Sequence, residues 1–347
     1  MPWTKFLAGN QDFPSESQEV SNGLRRISHA EAIREALDQA LSLDERVFIM
    51  GQGVDDPGGI FGATLNLHKK FGSNRVFDTP LSENALTGVA VGAALAGMRP
   101  FYCHNRPDFL LIAMDQIVNH ASKWSYMFGG TTKMPLVIWS VTARGWGSAA
   151  QHSQALQGLF MHIPGLKLVM PATPYDAKGL IVSSIADDNP IIILEHRWLF
   201  KQKGYVPEEL YSIPLGKGVI RRQGTDVTIV AISYMTVEAL RAAEKLVSTG
   251  ISAEVIDLRT LKPLDDEIIL NSIQKTGRLV IADTGWKTGG VSAEIASVVF
   301  EKGFGFLKKP VKRVACKDVP TPASYVLEEE FYADSDEIVT AVLELIQ

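Results

Sequence analysis

A chain of 347 residues exceeds the roughly 150 of one ordinary domain and suits two, and 46% hydrophobic with 21% charged residues excludes bulk disorder. A formal net charge of −5, with only short basic clusters such as Lys308-Lys309, excludes a general nucleic-acid surface, which needs massed cations against phosphates. The two cysteines, Cys103 and Cys316, stand too far apart in sequence for a zinc-ligand spacing and are too few for a disulfide framework, and no apolar run approaches the roughly 18 residues of a membrane span.

Residues 1–24 mix Gly, Asn, Gln, Ser and Glu without periodicity and are expected to form an N-terminal arm. They lack the apolar core of a signal peptide, and Asp12, Glu16 and Glu19 argue against a transit peptide, so a cytoplasmic protein is expected. Ser28-x-x-Glu31 has the form of a capping box, in which hydroxyl and carboxylate satisfy each other's orphan N–H groups, and Ala32, Ile33, Ala36, Leu37, Ala40 and Leu41 follow at helical spacing. The runs Val47–Met50, Pro100–Cys103, Pro135–Val141, Leu166–Met170 and Ile191–Leu194 are continuously apolar rather than alternating. Such strands are buried on both faces, which predicts a parallel sheet between helices. Thr173-Pro174-Tyr175-Asp176 reads as a helix entry, with a capping hydroxyl, proline at the first turn and an acid at the positive end of the dipole.

The first α/β domain therefore spans 25–200, and the Gly, Pro, Lys and Glu of 201–217 read as a linker. Over 218–347 strands at Asp226–Ile232, Ala253–Ile256, Leu279–Ala282 and Val311–Ala315 alternate with helices near 236–248, 265–275, 290–302 and 335–346, a smaller and again mainly parallel α/β domain.

Three places carry polar groups suited to chemistry. Glu83 closes Asp78-Thr-Pro-Leu-Ser-Glu83 where a short strand meets a small-residue helix, the edge of an α/β sheet that ligands favour. By itself it reads rather as a first-turn acid complementing the helix dipole. His152, in Gln151-His-Ser-Gln154, follows the glycine-rich stretch 144–150. An imidazole there suits an acid, a base or a carboxylate binder, and a solvated loop histidine has the same local sequence. His104-Asn-Arg-Pro-Asp-Phe109 follows a strand and reads either as a pocket wall or as a surface loop closed by an ion pair. The fingerprints G-x-S-x-G, Walker A and G-x-G-x-x-G after a strand do not occur.

Taken in order, Asp78–Glu83, Met114-Asp-Gln-Ile-Val-Asn119, Gln151–Gln154, Pro164–Val169, Asp257–Leu264 and Gly289-Gly-Val-Ser-Ala-Glu294 resemble the β subunit of the 2-oxo acid dehydrogenase decarboxylases, pyruvate and branched-chain types, over residues 25–347. The resemblance implies a transketolase-like pyrimidine-binding domain followed by a transketolase C-terminal-like domain, with thiamine diphosphate as cofactor. It implies that Glu83 hydrogen-bonds the aminopyrimidine ring and so activates the cofactor, that Phe109 stacks on that ring beside Leu81, and that His152 stands near the reacting carbon. It further implies a potassium site on Leu136, Ser184, Ile185, Asp187 and Asn189. The family's diphosphate motif, Gly-Asp-Gly with asparagines some thirty residues on, does not occur in this chain. A separate α-type subunit is therefore expected to hold the diphosphate and Mg²⁺ in an α₂β₂ assembly.

The resemblance also implies decarboxylation of a 2-oxo acid with transfer of the acyl unit to the lipoyl domain of a partner transferase. Transfer to an aldehyde, as in transketolase-like and acyloin-forming enzymes, is the second reading, and a stabilising partner with a dead site is the third. This chain departs from the family at Gly51-Gln-Gly-Val54, at His104–Pro107 and at Arg144-Gly-Trp146. From these departures His104, Arg106 and Arg144 are expected to contact the substrate, because a guanidinium fork matches a carboxylate or phosphate.

Overall fold

The structure, a computed structural model, describes residues 25–143 and 147–347, so the expected N-terminal arm and Arg144 lie outside the described residues. Two compact units result, one of residues 25–141 and 163–215 and one of residues 142–143, 147–162 and 216–347.

In the first unit β1 (Arg25–Ser28) leads into α1 (His29–Leu43), whose expected capping box is formed: the Ser28 side chain accepts from the Glu31 N–H, and the Glu31 carboxylate accepts from the Ser28 N–H at 2.7 Å. There follow β2 (Val47–Gly51), α2 (Leu67–Phe71), β3 (Val76–Phe77), α3 (Glu83–Leu95), β4 (Arg99–His104), α4 (Pro107–Leu110), a π-helical turn at Asp115–Ala121 and α5 (Trp124–Met127). Next come β5 (Val137–Thr142), the short α6 (Gln157–His162) of the second unit, β6 (Lys167–Val169), α7 (Pro174–Ala186), β7 (Ile191–His196) and β8 (Lys203–Val206).

The sheet runs β6-β7-β5-β4-β2-β3, and the pairs β2–β3, β2–β4, β4–β5 and β6–β7 are parallel, as the unbroken apolar runs predict. Every residue of β2, β4, β5 and β7 is buried. Helix α7 is buried all round, so an amphipathic stripe is lacking, and its entry is built as expected, Thr173 accepting from the Asp176 N–H with Pro174 in the first turn. Within the expected linker, β8 pairs antiparallel with β1, while Tyr211 stacks on Tyr175 at 4.6 Å. The buried Lys178 ammonium joins this segment to α7, donating to Glu35 at 2.6 Å and to the carbonyl oxygens of Pro207, Glu208 and Glu209 at 2.7, 3.0 and 2.8 Å. Few anchors spaced unevenly leave no periodicity, which is why these residues read as a linker.

The second unit contains β9 (Val219–Arg222), β10 (Val227–Ala231), α8 (Met235–Val247), β11 (Ala253–Asp257), β12 (Thr260–Lys262), α9 (Asp266–Thr276), β13 (Leu279–Trp286), α10 (Val291–Gly303), β14 (Lys312–Cys316), α11 (Tyr325–Phe331) and α12 (Ser335–Ile346). Its sheet runs β14-β13-β10-β11-β9, parallel except for β9, which is antiparallel to β11. Helices α8 and α12 bury Ala239, Ala242, Leu246, Ile338, Val342 and Leu345 against it. No helix among the described residues is long and apolar enough to cross a membrane.

Candidate active site

In the first sheet β2 is followed by β3 on one side and β4 on the other, so the chain reverses direction across the sheet between β2 and β4. The carboxyl ends of two such strands diverge and leave a crevice, where open α/β sheets bind ligands. A pocket lies there, lined by Gln52 after β2, Tyr102 to Arg106 at the end of β4, Phe109 on α4 and Glu83 at the first turn of α3. Gly51 permits the approach of the two strand ends: its φ is +142°, and a Cβ would stand 2.1 Å from the Cys103 carbonyl oxygen.

Glu83 is half-buried, and the Thr87 hydroxyl donates to its backbone oxygen at 2.7 Å. The carboxylate acts on two neighbours. Burial, and after it the Glu83 charge, pushes the Tyr102 phenol up to about 12, which a hydrogen bond with the Thr87 hydroxyl opposes. Burial pulls His104 down to about 4 and outweighs Glu83, which favours the charged ring. The pocket therefore presents one anion beside neutral rings, with the half-buried Phe109 as a further flat wall. His104 is 4% exposed, a wall of the pocket rather than part of a surface loop.

The depressed His104 has a consequence for acid stability. An unfolded imidazole takes its proton near 6.5 and the folded one only near 4, so between these values the unfolded chain binds more protons. Stability is then full above about pH 6.5 and falls by roughly 3 kcal/mol as pH drops through 4. Urea unfolding followed from pH 7 to 4 is expected to show that loss in the wild type and not in His104→Phe, and equal slopes in both would refute it.

Arg106 caps this corner, donating to the Val141 carbonyl oxygen at 3.4 Å. Arg197, which follows β7 and which no local sequence signal marked, lies with its guanidinium 4.0 Å from the Phe61 ring centroid. Burial and then the Arg106 charge lower the Arg197 pKa, so the two guanidinium groups stand within electrostatic reach. Leu81 is 79% exposed on the turn before α3.

The five positions expected to bind potassium gather at the carboxyl end of α7, with the Ile191 N–H donating to Leu136 O at 2.9 Å and Asp187 Oδ1 accepting from Asn189 N and Nδ2 at 2.8 Å each. A helix end exposes orphan carbonyl groups and a negative dipole. Arg99 already answers part of it, donating to the carbonyl oxygens of Ile185 and Asp187 at 2.8 and 2.9 Å and leaving each oxygen a second lone pair. Among the described residues no group of three or more His, Cys, Asp or Glu is placed to hold a metal ion.

His152 belongs to the second unit, where it is exposed, with its N–H donating to the Ala149 carbonyl at 3.4 Å. Its segment is fastened on both sides. Thr142 donates to the Gln154 carbonyl at 3.0 Å, and Gln157 Nε2 donates to Asp283 Oδ1 at 2.8 Å and to Thr284 Oγ1 at 3.1 Å. Asp283 is fully buried; burial raises its pKa against hydrogen bonds from Gly285 N, Gln157 and Ser292 N. It thus joins the histidine segment to the start of α10, where a Cβ on Gly290 would stand 2.1 Å from Trp286 O. Sequence reasoning singled out Gly289–Glu294 but not Asp283, since an aspartate within a strand is conspicuous only once Gln157 is seen to meet it.

Family models extend these observations. Residues 25–202 match the transketolase pyrimidine binding domain and residues 216–338 the transketolase C-terminal domain. Among curated relatives, the chain is 42% identical over 334 residues to the acetoin:2,6-dichlorophenolindophenol oxidoreductase subunit beta of Bacillus subtilis, covering 93% of this chain and 98% of that one. It is 43% identical over 317 residues to the pyruvate dehydrogenase E1 component subunit beta of Cyanidium caldarium, covering 91% and 97%. The 2-oxoisovalerate dehydrogenase subunit beta of B. subtilis is 38% identical over 323 residues, covering 92% and 99%. A solved structure described as a split gene transketolase, inactive beta4 tetramer, superposes with a TM-score of 0.75 at 26% identity, covering 92% of this chain and 98% of that one.

Proposed function

The chain belongs to the transketolase-like family, among the β-type subunits of thiamine-diphosphate-dependent 2-oxo acid dehydrogenases, and from that premise we propose that its pocket at the β2–β4 reversal is the pyrimidine half of a decarboxylase site completed by an α-type subunit. The observation that supports this most is the company of Glu83: one carboxylate shares a pocket with Phe109 and Tyr102, an acceptor and flat faces suited to a flat, proton-bearing heteroaromatic ring. When bound, thiamine diphosphate supplies the electron sink that lets a 2-oxo acid lose carbon dioxide.

The residues of this chain have the following proposed parts. Glu83 accepts a hydrogen bond from the pyrimidine ring and shares its proton. Phe109 gives the ring a flat face, while Leu81, exposed on the preceding turn, is available to a ligand edge or to the α-type chain. Arg106 binds the carboxylate of the 2-oxo acid by charge and geometry. Arg197 adds positive potential beside it. His152, held through Gln157 and Asp283, moves a proton at the step that uses the acyl acceptor. The α-type chain holds the diphosphate and Mg²⁺ in an α₂β₂ assembly, and the carboxyl end of α7 holds potassium through the lone pairs that Arg99 leaves. The acceptor is a lipoyl domain.

A panel of 2-oxo acids supplied to this chain with its α-type partner, thiamine diphosphate and an artificial electron acceptor is expected to yield cofactor-dependent turnover; none with any acid would sink the proposal. His152→Ala is expected to slow acyl transfer by roughly 10²-fold while decarboxylation falls less, because general acid–base groups contribute about 10²–10⁴-fold to the step they serve. Single-turnover rates for the two half-reactions check this, and equal losses in both would remove the assigned role.

A further inference from the structure

Two side chains at the end of β4 stand out within the pocket. His104 is 4% exposed, and its Nε2 has no hydrogen-bond partner; the buried Oδ1 of Asn105 has none either. The His104 ring hydrogen-bonds the Arg106 backbone in the sense that favours a protonated nitrogen, so Nδ1–H donates there and Nε2 carries the free lone pair. An amide Oδ1 is likewise an acceptor only. Two residues consecutive in the pocket lining, just before Arg106 in the chain, thus each carry a buried acceptor without a partner.

A ligand that seals such acceptors under apolar atoms leaves each one unsatisfied at a cost of about 1–3 kcal/mol, whereas a ligand bearing O–H groups satisfies them. Sites built around hydrogen bonds discriminate on this basis far better than apolar pockets do. We infer that His104 and Asn105 form a hydroxyl-binding subsite, and that the acyl donor of this enzyme is a hydroxylated 2-oxo acid, with its hydroxyl close to the 2-oxo carboxylate, rather than an aliphatic one. The inference rests on the decarboxylase reading proposed above and deepens it. The His104 ring contacts the Arg106 backbone, so a substrate whose carboxylate meets Arg106 is proposed to turn the carbon beyond its 2-oxo group toward these acceptors.

The test uses the enzyme assembled with its α-type partner and compares 3-hydroxypyruvate with pyruvate, which differ by one hydroxyl. The wild type is expected to favour 3-hydroxypyruvate in kcat/KM by roughly tenfold or more, the equivalent of one hydrogen bond. His104→Phe and Asn105→Leu are each expected to reduce that ratio by about tenfold, and His104→Gln, which keeps an acceptor, to retain most of it. Thiamine diphosphate affinity, measured by fluorescence quenching, separates the two ligands that could bring the donors. A drop in cofactor affinity with no change in the substrate ratio would assign the acceptors to the cofactor's amino group and overturn the inference. A wild-type ratio at or below one would also overturn it while leaving the decarboxylase reading intact. Failure to decarboxylate either acid or any other 2-oxo acid would instead remove that reading.

Discussion

Glu83→Gln is expected to lower 2-oxo acid turnover by roughly 10²–10⁴-fold while the subunit still folds and assembles. The substitution keeps the shape of the side chain and replaces a proton-sharing carboxylate by an amide that cannot take a proton. Its structural cost is small: Glu83 occupies the first position of α3, where an anion on the helix dipole contributes only about 0.3–1 kcal/mol. A readout independent of turnover exists in the isolated chain. The Glu83 charge helps push the Tyr102 phenol up to about 12, so removing it is expected to bring that ionisation down. For His104 the sign is the reverse, because Glu83 favours its charged form, and the imidazole is expected to titrate lower still in the variant. Spectroscopic pH titration of the phenols and the imidazole shifts of wild type and variant measures both. Unchanged titrations would place the carboxylate outside the pocket, and near-normal turnover would remove it from the mechanism.

The features legible in the sequence were those fixed by neighbours along the chain. The Ser28–Glu31 box and the Thr173-Pro174-Asp176 entry are local hydrogen-bonding solutions to helix starts, and both are formed. The buried parallel strands were legible because two covered faces demand unbroken apolar runs, as in Val47–Gly51 and Ile191–His196. What was not legible depends on distant partners. Arg197 gains meaning only from Phe61 and Arg106, and Asp283 only from Gln157, 126 positions away. The antiparallel β9 and the β1–β8 pair carry half-exposed residues that mimic connecting segments, so neither announced itself as a strand. Glu83 lies between these cases. Its place at a helix start was local, but its standing as more than a dipole-complementing acid came from the motifs around it, and its pocket is assembled by three segments whose meeting no local pattern encodes.

The isolated chain is expected to bind thiamine diphosphate at least about 10²-fold more weakly than the assembled enzyme and to turn over no 2-oxo acid. The pocket described here offers the pyrimidine one carboxylate and flat walls, but a diphosphate needs charge-assisted hydrogen bonds and a metal, and its motif does not occur in this sequence. Hydrogen bonds to charged groups contribute about 1.5–3 kcal/mol each, so losing two already accounts for that factor. Charge makes the contrast sharper. With a formal net charge of −5 the chain repels a polyanion unless local cations oppose it, and Arg106 in the pocket lining, with Arg197 within its electrostatic reach, is assigned to the carboxylate of the substrate. Calorimetric titration of the cofactor with Mg²⁺ into the chain alone and into the assembly separates the two states. Thiamine, which lacks the diphosphate, is expected to bind both with similarly low affinity, because the pyrimidine contacts are then all that remain. Tight cofactor binding by the chain alone, or turnover without the partner, would show that the site is not divided. A large gain for thiamine on assembly would mean that the partner completes the ring pocket itself, and the division of labour between a pyrimidine half and a diphosphate half would have to be redrawn.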